Sequence, residues 1–294
     1  MHSLNLDYLR TFLDVIEFGS FSAAAERLNL SQPAVSLQIR QLEKRLGVRL
    51  IERVGRKARP TAAGAALAGY AVQIDSLVSA ALDGMAQHAK GTMGRVRLGT
   101  GATACIFLLP AILHELRHRF PTLEITVNTG NTAEIAKSVD ENTIDIGLVT
   151  LPVTGRMFEI IPVVDDEFVA IAFPATQLPQ RLTAAALSKL PVLLFEPGGN
   201  TRRIVDDWFA RSGVTLRPVM SLGSVEAIKE MVRAGLGCAV LPSMAVQSAS
   251  DRNDLGIRSL SPKLYRRLAI IVRRDKPLNR GLAETLKALK NLRT

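Results

Sequence analysis

The chain has 294 residues, 37 Lys and Arg against 27 Asp and Glu, and a formal net charge of +10 at pH 7. Its length suits two or three domains rather than one small module, and 47% hydrophobic residues are enough to build real cores. The positive balance is the footprint of a polyanion binder. No apolar run reaches the roughly eighteen residues of a membrane span, and Asp7, Arg10 and Asp14 interrupt the start before any secretory run forms, so a soluble cytoplasmic protein is expected.

In chain order, residues 6–18 read as a helix that supplies Leu9, Phe12, Leu13 and Ile16 to a small core. Residues 21–28 read as a second helix with Ser22 as its N-cap, and Ala23, Ala24 and Ala25 let another helix cross closely. Asn29 and Leu30 make the turn. Ser31 caps a third helix, Pro33 sits in its first turn, and Val35, Ile39, Leu42 and Leu46 mark its apolar face until Gly47 ends it. Gln32, Ser36 and Arg40 lie four apart on another face, with Leu37 and Lys44 beside them. These residue types suit base edges: Gln bonds adenine in two places, Arg does the same to guanine, and an aliphatic side chain touches a thymine methyl.

Residues 48–51 and 56–59 flank a Val54-Gly55 turn and predict a two-stranded wing, with Arg53, Arg56, Lys57 and Arg59 placed against phosphate or the minor groove. A solvated helix pair needs no such charge bias. Here Arg40, Lys44, Arg45, Arg49 and the wing cations outweigh Glu43 and Glu52 where a helix-turn-helix meets phosphates. Thr61 then caps a helix to about His88. Its positions Leu67, Tyr70, Ile74, Leu77, Ala81 and Met85 predict a short coiled-coil seam, the alternative being a helix lying on its own core. Residues 90–94 read as a hinge.

From Arg95 onward, strand candidates at 96–100, 124–129, 144–150, 167–173, 191–195, 238–242 and 268–272 alternate with helix candidates at 107–119, 131–141, 200–211, 224–234 and 278–292. Such alternation predicts an α/β domain with mainly parallel sheets, whose ligands sit beyond the C-terminal strand ends near helix N-termini. The candidate ligand residues are therefore Thr100, Thr103, Asn131, Thr132, Thr150, Asn200, Thr201, Arg202 and Ser224, a set of small hydroxyls and amides with one arginine that suits a small organic anion. The basic cluster Arg266, Arg267, Arg273, Arg274 and Lys276 reads as a solvated face, and Cys105 and Cys238 as buried, reduced thiols.

Two motifs point elsewhere and are set aside. Residues 99–104 fit GxGxxA, but the following strand ends Val127-Asn128-Thr129 without the carboxylate that a ribose needs. His114 and His118 complete an HExxH, but no histidine follows, Arg117 and Arg119 stand close by, and the helix is explained by its apolar face Ile112, Leu113, Leu116 and Phe120. There is no GxSxG elbow. No metal, cofactor or catalytic residue is expected. An enzyme with a basic appendage and a non-specific architectural DNA binder are the readings this one displaces.

Residues 4–61 resemble the DNA-binding domain of the LysR-type transcriptional regulators. The matching elements are LxYLRTFLxVxExGSFSxAAExLxLSQPAVSxQIxxLExxLGxxLxER, an arginine, and PTxAG. Looser similarity covers the rest of the chain. The resemblance implies a winged helix-turn-helix at 1–60, a dimerising linker helix at 61–90 and an effector-binding domain at 91–294. It implies two α/β lobes like those of periplasmic binding proteins, one at 95–161 plus 267–294 and the other at 162–266. Carried over by position, Gln32, Pro33, Ser36 and Leu37 face the bases and Arg53 reaches the minor groove; Ser31, Arg40 and Arg56 complete the residues expected at DNA. Leu37 is often Arg in relatives. The implied partners are an interrupted palindrome in double-stranded DNA, a small-molecule effector, further copies of the chain in a homodimer or homotetramer, and RNA polymerase as a candidate. The sequence leaves the effector, the operator, and activation versus repression open.

Overall fold

The computed structural model describes residues 4–54, 57–90, 93–176 and 178–292. Two compact units emerge, one holding the residues up to Ala86 and the other nearly all residues from Gln87 on.

The first unit opens with α1 (Leu6–Phe18), α2 (Phe21–Leu28) and α3 (Gln32–Leu46). Each begins at a residue whose short side chain accepts from the first turn: Asn5 from the Asp7 N–H at 2.8 Å, Ser20 from Ala23 at 3.3 Å, and Ser31 from Ala34 at 3.3 Å. The cap of α2 is thus Ser20, not Ser22, because Ser20 has the extended backbone that turns its hydroxyl onto the orphan N–H. Gly47 ends α3 at φ 71°, a conformation that a Cβ would strain. Leu9, Phe12, Val15, Ala24, Ala25, Val35, Ile39 and Leu42 form the core. Val15 takes a place expected of Leu13 and Ile16, which are only half-buried, and Leu46 is 37% exposed because the helix ends before the core reaches it.

Strands β1 (Ile51–Val54) and β2 (Lys57–Pro60) pair antiparallel, with Ile51 opposite Pro60 and Val54 opposite Lys57. The carboxylate of Glu43 accepts from the N–H groups of Leu50 and Ile51 at 2.8 and 3.2 Å and fixes the entry to this hairpin. Helix α4 (Ala62–Lys90) follows, its first turn capped by Thr61 Oγ1, which accepts from the Gly64 N–H at 3.0 Å. The predicted seam divides. Leu67, Ala71 and Ile74 pack on the helix-turn-helix core, whereas Tyr70, Leu77 and Met85 are 67%, 62% and 64% exposed. At 3.6 residues per turn Tyr70 and Leu77 stand beside Leu67 and Ile74 on the helix, and Met85 falls in line with Leu67 further along it.

A Cβ on Gly64 would lie 2.0 Å from the Leu50 carbonyl oxygen. Backbone cannot yield as a side-chain tip can, so Gly64→Ala should cost about 1–3 kcal/mol through forced separation of α4 from β1. A urea unfolding curve checks this, and an unchanged midpoint would contradict the close approach.

The second unit runs β3 (Arg95–Thr100), α5 (Ala102–Phe107), α6 (Leu109–Arg119), β4 (Glu124–Thr129), α7 (Thr132–Asp140), β5 (Ile146–Thr150) and β6 (Phe158–Ala172). It continues through α8 (Ala184–Leu187), β7 (Val192–Phe195), α9 (Asn200–Arg211), β8 (Met220–Leu222), α10 (Val225–Arg233) and β9 (Cys238–Pro242). A 3₁₀ turn (Ser243–Val246), α11 (Ala249–Asp254), β10 (Gly256–Arg273) and α12 (Arg280–Lys290) complete it. The helix expected at 107–119 is broken at Leu108, where Pro110 opens α6.

The strands hydrogen-bond in the order β4-β3-β5-β10-β6-β9-β7-β8. Each end is a parallel α/β lobe: β3 with β4 and β5, and β7 with β8 and β9. The mainly parallel expectation fails at the centre, where β6 and β10 run antiparallel through both lobes. The segments 167–173 and 268–272 cover only one end of these strands; the rest of β10 is rich in charge, and the rest of β6 is interrupted by Pro162 and by Asp165 and Asp166. Cores lie on both faces of each lobe, with Leu98, Leu116, Leu148 and Ile270 in one lobe and Phe168, Leu194, Trp208 and Val240 in the other.

Candidate functional site

In the first unit, burying Val35, Ile39 and Leu42 turns the opposite side of α3 outward. Gln32, Pro33, Leu37 and Arg40 are exposed there, with Leu37 at 49%, and Ser36 is half-buried. The Gln32 side chain donates to Ser36 Oγ at 2.8 Å, one helical turn away, which holds both ends of the polar face in register. Ser31 is spent as the cap. Lys44, Arg45, Arg49, Lys57 and Arg59 are exposed around this face. Arg53 lies opposite Ala58 in the hairpin; its side chain and all of Arg56 lie outside the described residues, as do Gly91 and Thr92 of the expected hinge. The face therefore presents donors, an apolar contact and a basic surround, with the nearby Glu43 carboxylate satisfied by backbone.

In the second unit, a cleft of about 390 Å³ opens where the C-terminal ends of β3, β4, β5 and β7 meet the N-termini of α5, α7 and α9. Of the expected residues it is lined by Thr103, Asn131, Thr132, Thr150, Asn200, Thr201 and Arg202. Two fall outside it. Thr100 is fully buried and its hydroxyl donates to the Leu148 carbonyl at 2.9 Å, because side chains alternate along β3 and this one faces the neighbouring strand. Ser224 caps α10, accepting from Ala227 at 3.5 Å, and leaves Gly223 at the cleft.

Most polar groups of the lining are already bonded within the domain. The Asn131 amide and the Glu134 carboxylate cap α7 reciprocally, at 3.0 and 2.9 Å. Thr132 Oγ1 donates to the Thr150 carbonyl at 3.0 Å. From the other lobe, the Asn200 amide donates to the same carbonyl at 2.6 Å and to that of Pro152 at 2.9 Å, a latch across the cleft. Arg202 is turned inward onto Asp206 at 2.8 Å and onto the Phe195 carbonyl, so it is not the free cation expected. The first turn of α9 has no side-chain cap, since Gly199 precedes it, and Gly198, Gly199, Asn200 and Thr201 at this helix start line the cleft.

Sequence reasoning missed Glu134, Glu196, Arg266 and Leu268 in the lining. The spacing Asn-x-x-Glu at 131–134 was a legible capping-box signal for the first. Arg266 was assigned to a solvated face. It is 4% exposed, paired with Asp166 at 2.9 Å, and donates to Thr201 Oγ1 at 3.3 Å. The rest of that basic cluster disperses: Arg267 pairs with Asp165, Arg273 with Asp275 and Lys276 with Asp145, and Arg274 donates to the Phe158 carbonyl.

Two family models match this chain: the bacterial regulatory helix-turn-helix protein model of the lysR family over residues 6–65, and the LysR substrate binding domain model over residues 89–293. The chain belongs to the LysR family of transcriptional regulators. Its DNA-binding head and substrate-binding domain are thus both identified. An uncharacterized HTH-type transcriptional regulator of Escherichia coli K12, YeiE, is 32% identical over 288 residues, 97% of each chain. The crystal structure of CbnR, a LysR family transcriptional regulator, matches with a TM-score of 0.75 at 22% identity over 98% of both chains. Full-length CbnR complexed with target DNA matches at 0.74, with 22% identity over 98% of this chain and 99% of that one.

The remaining motifs of this LysR-type regulator fall within its substrate-binding domain. The 99–104 segment ends β3 and starts α5 at the cleft. His114 and His118 are exposed on α6, whose Leu116 is buried. Burial pushes the Cys238 thiol up to about 11, which keeps it protonated at neutral pH. Cys105 is only half-buried, because α5 is short and packs one side. Among the described residues no helix is long and apolar enough to cross a membrane.

Proposed function

We propose that this regulator binds an interrupted palindrome as a dimer through α3, that dimers pair into tetramers, and that a small organic anion in the cleft sets its activity. The observation that carries the DNA reading is the exposed Gln32, Ser36, Leu37 and Arg40 face above a buried Val35, Ile39 and Leu42. One such helix reads only a few base pairs, and a two-fold pair reads an inverted repeat. The exposed stripe Tyr70, Leu77 and Met85 on α4 supports pairing there, since an isolated helix has no reason to keep large apolar groups on its outer side. The CbnR complex with its target DNA supports the same use of the head.

Within the cleft, the uncapped start of α9 favours the anionic group of an effector, and the Glu196 carboxylate at the rim favours one that also carries a hydrogen-bond donor. The Asn200 latch offers the two arrangements that an effector must distinguish, because a ligand shifts an equilibrium only by its differential affinity for the states.

The test is binding of the purified protein to the DNA upstream of its own gene and to unrelated duplex across a salt series. A footprint that survives where non-specific binding has collapsed is expected. Gln32→Ala should lose about 1–3 kcal/mol of discrimination at one base step, whereas Arg59→Ala should weaken all duplexes alike and flatten the salt slope. Equal loss on all DNA from both changes would sink the placement of α3 in the groove.

A further inference from the structure

Beside the cleft lies a second cavity of about 670 Å³, between α7, the segment 152–157 that leads from β5 into β6, and the start of α9. Its inner wall is apolar, formed in part by Ala136, Val153 and the buried Phe158. Its rim carries three cations from three separate elements: Lys137 from α7, Arg156 from the connecting segment and Arg203 from α9. The lining holds one carboxylate, Asp140.

Arg156 and Arg203 are exposed, and neither makes an ion pair or a side-chain hydrogen bond among the described residues. This sets Arg203 apart from its neighbour Arg202, which is buried against Asp206. A chain that pairs Arg202, Arg266, Arg267 and Arg273 with aspartates leaves these two guanidinium groups unmatched over an apolar hollow.

We propose that this cavity is a second ligand site, distinct from the cleft, for a small organic anion with an apolar body. The acidic group sits between the two guanidinium groups, which offer forked donors, and the body covers Val153 and Phe158. An inorganic anion would leave that wall wet, and an amine would meet like charge. The two sites share a wall. Asn200 and Thr132 line both, and the Asn200 amide, bonded to the Thr150 and Pro152 carbonyls, is the partition between them. Filling the second site therefore bears on the same latch that closes the cleft.

Calorimetric titration of the full chain with hexanoate tests this, with inorganic phosphate and hexylamine titrated alongside. Hexanoate should bind, and more tightly than either control. Arg156→Ala and Arg203→Ala should each weaken it about ten-fold or more, the loss expected for one charge-assisted hydrogen bond, and Arg203→Lys should restore part of the affinity. Both positions are exposed, so thermal unfolding midpoints should not move. No hexanoate binding overturns the proposal. So does equal affinity in the alanine variants, which would put hexanoate in the cleft or elsewhere, and so does phosphate binding as tightly, which would reduce the cavity to a charged patch.

Discussion

Asp166→Ala is expected to destabilise the sheet domain by about 3–5 kcal/mol, the cost of stranding one partner of a buried ion pair. Asp166 in β6 lies directly opposite Arg266 in β10, and their side chains are only 1% and 3% exposed. Burial pulls the Arg266 guanidinium below its ordinary value, and the Asp166 charge and hydrogen bond oppose that pull. Asp166 also accepts from Ser243 Oγ at 3.0 Å and from the Met244 N–H at 3.2 Å. It thereby ties both long strands to the turn after β9. Without it, Arg266 keeps only Thr201 Oγ1 and the Met244 sulfur, neither of them charged. Urea unfolding measures the loss. Asp166→Ala combined with Arg266→Met should recover a good part of it, because the double change removes the uncompensated charge. A single variant within about 1 kcal/mol of the parent, or a double variant no better than the single, would refute this account.

Asp145→Asn should cost about 3 kcal/mol at neutral pH and blunt the acid limb of the stability curve. Asp145 is 7% exposed and accepts from the Arg97 backbone N–H at 2.7 Å, from the Arg97 guanidinium at 3.2 and 2.8 Å, and from Lys276 at 2.6 Å. Burial alone would raise its carboxyl, but the bonds from Arg97 and Lys276 outweigh burial and hold it below the usual carboxylate range. The sign follows from the depressed value. The folded state binds a proton less readily than the unfolded one, whose value is near 3.9. The contribution is complete above that value and is lost as pH falls through the folded one. Asp251, held low by Ser248 and Lys229 against its own burial, adds in the same sense, so the variant flattens the acid limb without abolishing it. Unfolding midpoints at about pH 7 and pH 3.5 decide this. An equal gap between parent and variant at both would mean that the charge on Asp145 contributes nothing.

Much of the first unit was legible because its determinants are local. Short polar caps, left-handed ends and an apolar face on α3 are written within a few residues of where they act. The error at Ser22 is of the same local kind: two serines stood near the helix start, and only backbone conformation separates Ser20 from its neighbour. The cleft was partly legible for the same reason, since strand ends and helix starts leave signatures. Asn131, Thr132, Thr150, Asn200 and Thr201 were placed by them.

What was hidden depends on partners far away in the chain. Arg266 and Asp166 are a hundred residues apart in sequence, so nothing near Arg266 distinguishes it from the exposed Arg267. The length of β10 and the continuity of β6 across Asp165 and Asp166 are hidden likewise, because paired charges let residues such as Asp165 and Arg267 sit in a ladder without an apolar pattern. Composition, local periodicity and capping thus establish from sequence alone a basic helix-turn-helix, a linker helix and an α/β remainder, since each rests on interactions within a turn or two of helix or strand. Which residues of α4 stay bare, which arginine is buried, and which threonine faces the cleft are settled by long-range packing. A side chain's burial is fixed by what the rest of the chain folds against it.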